Sequence, residues 1–133
     1  TIQPFGPTSD LQATGVVRNE GRQYESKIMF LQVEYEDEDS PQNITFKAMD
    51  GDEYHIQPIV LTESNCKVSC SCMDFYWRFA MFNFSDDSLI GNKPPPYQRR
   101  TENRPPVNPA KVPGVCKHII KLVDKLKTNS MVR

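Results

Sequence analysis

Histidine is scarce in this chain of 133 residues, which holds two, and neither a glycine-rich phosphate loop nor a His-x-Glu pair accompanies them. Those absences remove the usual starting points for nucleotide chemistry, for zinc-dependent deamination and for imidazole-based acid–base catalysis. No apolar run approaches the roughly 20 residues that a membrane-crossing helix needs. Thr1 to Asp10 lacks the pattern of a signal peptide. A soluble protein of a reducing compartment is therefore expected, and the glycosylation-type triplets Asn43-Ile44-Thr45 and Asn83-Phe84-Ser85 read as chance matches. A dense basic run is missing as well, which argues against a strong nucleic-acid patch.

The chain has enough apolar content to fold, with 38% hydrophobic and 25% charged residues, and its length suits one domain over residues 1–133. The net charge of −1 conceals two unlike halves. Residues 1 to 66 carry 12 acidic and 4 basic side chains, and residues 67 to 133 carry 5 and 12. Such asymmetry lets the halves attract each other or fits the chain into an assembly, in preference to marking a nucleic-acid partner.

Strand periodicity appears after a Pro- and Gly-containing start. From Lys27 to Tyr35 the pattern puts Met29, Leu31, Val33 and Tyr35 on one face and Phe30, Gln32 and Glu34 on the other. The acidic run Glu36 to Asp39 reads as a solvated connection, followed by a strand through Ile44, Phe46 and Ala48. Asp50-Gly51-Asp52 is turn chemistry, so this strand and the run Glu53 to Thr62 form a hairpin. Pro58 cannot donate to a ladder, which makes the second strand an edge or bends it. His55 reads as an ordinary strand residue. Asp74 is placed to cap a helix carrying Phe75, Tyr76, Trp77, Phe79 and Phe82, an aromatic cluster most simply read as core.

Seven of the eleven prolines fall between Pro94 and Pro113, a long irregular insertion with Arg99, Arg100 and Arg104 inside it. Extended proline-rich chain suits an arm laid against a neighbour, with these arginines as partner contacts. Val112-Pro113-Gly114 then precedes a final helix, from about Val115 to Lys127, with Ile119, Leu122, Val123 and Leu126 on its apolar side and Lys117, Lys121 and Lys125 on its wet side. The fold class expected is α+β: a small antiparallel β-meander in an acidic half (1–65), then a metal-binding half (66–127) with one or two short helices and the proline-rich loop at about 94–113.

Cysteine and histidine carry the chemistry. Cys70-x-Cys72 supplies two sulfurs on a tight bend, and Cys116-x-His118 supplies a sulfur and a nitrogen at a helix start, where backbone N–H groups favour a thiolate. Neither pair completes a tetrahedral shell alone, so Cys70, Cys72, Cys116 and His118 are expected to converge on one structural metal ion, zinc first, across 44 positions of sequence from Cys72 to Cys116. Two alternatives remain open. The even cysteine count permits disulfides, although a one-residue spacing strains the ring. Cys66, Cys70, Cys72 and Cys116 also form an all-cysteine set suited to an iron–sulfur cluster, with Cys66 as an alternative ligand.

Cys-Ser-Cys followed by Cys-Lys-His resembles the SWIM-type zinc finger, over about residues 66 to 127. The resemblance implies a first pair at a hairpin, a second opening a helix, and Cys70, Cys72, Cys116 and His118 as the ligands. More weakly, Cys72-Met73-Asp74-Phe75, Asn108-Pro109 and Pro113-Gly114-Val115-Cys116-Lys117-His118 resemble small cysteine-containing virion proteins of tailed bacteriophages. That likeness implies a tail, baseplate or neck adaptor, found in the virion or in the cytoplasm during assembly. The expectation is a non-enzymatic structural module whose partners are protein subunits of a larger assembly, with no membrane and no small-molecule substrate. Nucleic-acid binding by a SWIM-like module is the alternative.

Overall fold

The computed structural model describes residues 2–5, 10–95 and 108–133, the first four and Asn19 through their backbone. Along these residues lie β1 (Ile2–Phe5), β2 (Asp10–Asn19), β3 (Arg22–Phe30), β4 (Tyr35–Glu36), β5 (Ile44–Lys47), β6 (Glu53–Ile56), β7 (Cys66–Cys70), α1 (Met73–Arg78), α2 (Ala80–Ser85) and α3 (Lys117–Thr128). The strands form two antiparallel sheets, one of order β1-β2-β3-β7 and one of order β4-β6-β5. With the helices they make an α+β fold, as the sequence led us to expect.

The N-terminal third holds the longest hairpin, which the periodicity did not reveal. Glu20 and Gly21 both have positive φ, 50° and 78°, between the paired residues Asn19 and Arg22. Such a two-residue turn has the twist that antiparallel strands require. β3 thus starts at Arg22 rather than Lys27 and stops at Phe30, because the chain turns at Gln32, where φ is 55°. The alternation read from Lys27 to Tyr35 crosses that turn, so its faces do not hold. The core side of β3 is Ser26, Ile28 and Phe30, opposite Cys70, Val68 and Cys66 of β7.

The β5–β6 hairpin is present, closed at Asp50 to Asp52. β6 ends at Ile56, two residues before Pro58, and lies between β4 and β5, so it is the central strand and not an edge. Loss of a donor at Pro58 ends the ladder there instead of bending it.

α3 packs on β2, β3 and β7 through Ile119, Leu122 and Leu126, all buried. Each such side chain contributes about 1.5–3 kcal/mol by leaving water. Lys117, Lys121 and Lys125 stay on the wet side. After α3 the chain doubles back: Met131 and Val132 are buried, and Val132 pairs in parallel with Ile59. The Arg133 N–H donates to the Ile59 carbonyl (2.8 Å) and the Leu61 N–H to the Arg133 carbonyl (2.9 Å). Buried residues of both sheets belong to one continuous apolar cluster. No helix among the described residues is long and apolar enough to cross a membrane.

Candidate metal centre

The first donor pair sits where β7 ends. Ladder pairing with Ser26 turns Cys70 toward the core, and Ser71 is fastened back to β3, its N–H donating to the Glu25 carbonyl (3.0 Å) and its hydroxyl accepting from the Glu25 N–H (2.9 Å). That tie fixes the bend and presents Cys72 at the start of α1. Cys72 is the cap of α1: its backbone is extended and its sulfur accepts from the Phe75 N–H at 3.4 Å. Asp74, expected as the cap, lies inside the first turn and pairs with Arg78 at 3.2 Å.

The second pair opens α3. Cys116 is its cap residue, with extended backbone, and His118 lies in its first turn. What carries Cys116 to Cys70 is a clamp on α2. Asn83, buried, donates from Nδ2 to the Gly114 carbonyl (2.9 Å) and accepts from the Gly114 N–H at Oδ1 (2.8 Å). Gly114 also lies close against Phe79, where a Cβ would come to 2.5 Å from a ring carbon. Only glycine permits that approach. Upstream, Asn108 donates to the Arg78 carbonyl (2.9 Å) and the Val112 carbonyl (2.8 Å). The last part of the proline-rich segment is therefore fastened to α1 and α2 and belongs to the fold. Arg99, Arg100 and Arg104 lie outside the described residues.

These supports bring one donor atom each from Cys70, Cys72, Cys116 and His118 within 4.8 Å of one another, all four residues buried. The His118 Nδ1 is 3.6 Å from the Cys70 sulfur and 4.0 Å from the Cys116 sulfur. Metal–sulfur bonds of about 2.3 Å and metal–nitrogen bonds of about 2.0–2.1 Å around a tetrahedral zinc set donor–donor edges of roughly 3.5–3.8 Å. The spacing suits a metal ion. Tyr24 of β3 stacks on the His118 ring, centroids 4.9 Å apart and planes 22° from parallel, and so fixes the imidazole from behind.

The protonation pattern points the same way. The Cys116 thiol is held down to about 5, chiefly by hydrogen bonding with Cys70, with backbone N–H groups of Ile119 and His118 adding to the effect. Cys70 is pushed up by that same pairing and then by burial, and Cys72 is raised mainly by burial. One thiolate thus forms readily, and a cation among the sulfurs displaces the remaining protons. The four donors can hold a metal ion.

All four cysteines are free thiols, so no disulfide joins any of them. Cys66 stands outside the donor group. It is four residues before Cys70 on an extended strand, roughly 13 Å away, and burial pushes its thiol up. The all-cysteine set is therefore not brought together. His55 is the ordinary strand residue expected, half-buried in β6 with its ring against the Thr45 hydroxyl (2.8 Å). The aromatic cluster is core only in part: Phe75 is buried and Tyr76, Phe79 and Phe82 are half-buried, whereas Trp77 is 41% exposed. Sequence reasoning missed Asn83 and Tyr24 as supports. In the sequence Asn83 marks only a glycosylation-type triplet; in the fold its buried side chain is held at both ends of the amide by Gly114. Comparison of the chain with protein-family models, with curated proteins and with solved structures gave no match in any of the three.

Proposed function

We propose that this chain is a non-enzymatic assembly module whose fold is closed by one structural zinc ion on Cys70, Cys72, Cys116 and His118. The observation that carries the reading is the set of four buried donors within 4.8 Å of one another. Three thiolates and an imidazole match zinc in softness and in tetrahedral preference, and four protein donors leave no coordination position for water or substrate. A closed shell is the mark of a structural site. In this role the ion joins β7 to α3, and this chain's own residues aim the donors: Ser71 sets the bend, the Asn83–Gly114 clamp delivers Cys116, and Tyr24 orients His118. The second pair opens α3, as the SWIM-type likeness implies, whereas the first lies where β7 passes into α1 and not at the hairpin that likeness implies.

The surfaces left by this arrangement are for other proteins, and the weaker likeness to virion proteins of tailed bacteriophages supplies the setting. Elemental analysis of the purified chain is expected to find one zinc per chain. Two or more irons per chain with visible absorption overturn the metal assignment. A second reading, binding of nucleic acid, is favoured by the exposed Lys117, Lys121 and Lys125 of α3. Titration against duplex and single-stranded DNA tests it, because phosphate contacts lose affinity steeply as salt rises; the assembly reading predicts weak binding without that slope.

A further inference from the structure

Charge is sorted by element on this molecule. From residue 34 to residue 53 the chain carries eight carboxylates against the single Lys47, concentrated in the Glu36–Asp39 run and around the β5–β6 turn. α3 carries Lys117, Lys121, Lys125 and Lys127 against Asp124, all five exposed. Opposite charge of the two halves suggested that they attract each other within the chain. Among the described residues, however, the ion pairs are Glu25–Lys27, Lys67–Asp87, Asp74–Arg78 and the contacts of His55 with Asp39 and Glu53. None joins a lysine of α3 to a carboxylate of the three-stranded sheet.

Each of the two faces also displays one large apolar side chain. Ile120 is 50% exposed and stands on α3 between Lys117 and Lys121, and Met49 is 69% exposed at the head of the acidic β5–β6 turn. We propose that these faces bind each other between copies. The lysine face of α3 docks on the Glu36–Asp39 run and β5–β6 turn of a second copy of this chain, with Ile120 and Met49 as the apolar contact. With a net charge of −1 the copies have almost no overall repulsion to overcome. Two copies that exchange both contacts close a twofold dimer, and copies that make one contact each way propagate to a ring or a filament. This inference rests on the assembly reading and names its partner.

Sedimentation velocity of the metal-loaded full chain tests it. At about 0.01 M salt, where charges reach roughly 30 Å, the chain is expected to run as multiples of its 15.3 kDa mass, and at about 1 M, where they reach roughly 3 Å, as the single chain. The paired variant Lys121→Glu, Lys125→Glu and the paired variant Asp37→Lys, Glu38→Lys are each expected to remain single at low salt. Their equimolar mixture is expected to associate again, since each then offers the other a complementary face. Unchanged metal content and melting in both variants separate this result from failure of the metal site. A wild-type chain that stays single at low salt overturns the inference, as does a mixture that fails to associate. If that single chain binds an oligonucleotide through the same lysines, nucleic acid is the occupant. If it instead enters a particle of other subunits, the assembly reading stands and self-association falls.

Discussion

Around the four-stranded sheet, the joins between distant segments are polar and buried: three thiols and an imidazole, and an amide that grips Gly114 from 31 residues away. In the three-stranded sheet the joins are aromatic. Tyr54 stacks on Phe46 with centroids 5.8 Å apart and meets Tyr35 edge-on at 6.1 Å. The difference is one of failure mode. An apolar contact weakens in proportion to the area lost, whereas a buried polar join depends on every member, since removing one leaves its partner dry and unpaired. The metal half should therefore break abruptly and the aromatic half gradually.

The largest contrast is expected on metal removal. Apparent binding of a structural zinc in finger peptides is worth about 10–16 kcal/mol, as much as the whole stability of an ordinary domain, about 5–15 kcal/mol. Chelation, or Cys116→Ser, should abolish cooperative thermal unfolding followed by circular dichroism; an unchanged melt after complete metal removal breaks the comparison.

On the other side, Phe46→Ala removes a buried ring from the smaller sheet and should cost about 3–4 kcal/mol while leaving metal content intact. Loss of metal in that variant would erase the distinction between the halves. Next comes Asn83→Ala, which strands the N–H and carbonyl of Gly114. Gly114 is half-buried, so water takes over part of what is released and the loss is about 1–3 kcal/mol in denaturant melts. Weaker metal retention against a chelator should accompany it, because Cys116 is released from its clamp. The smallest effect is expected from Cys66→Ser, at about 1 kcal/mol or less, with metal stoichiometry unchanged.

The donor set was legible because few residue types bind soft metals and their spacing is confined to two short motifs. α3 was legible for a related reason: Ile119, Leu122 and Leu126 repeat over about two turns with lysines opposite. β2 was not. Gln12 is buried between Leu11 and Ala13, so both faces of that strand are covered at its start and the alternation that marks a half-exposed strand is missing. Parity in β3 was lost because a period was followed through the turn at Gln32, and one residue of slip exchanges the faces. Asn83 and Gly114 could not be paired from sequence, since a buried amide looks like any other asparagine until its partner is brought against it.

The central claim is that Cys70, Cys72, Cys116 and His118, and not Cys66, hold one zinc. X-ray absorption at the zinc edge of the purified chain tests it most directly. The account predicts a shell of three sulfurs at about 2.3 Å and one nitrogen at about 2.0–2.1 Å, identical in wild type and Cys66→Ser and lost in Cys116→Ser. A shell of four sulfurs that falls to three in Cys66→Ser would contradict it.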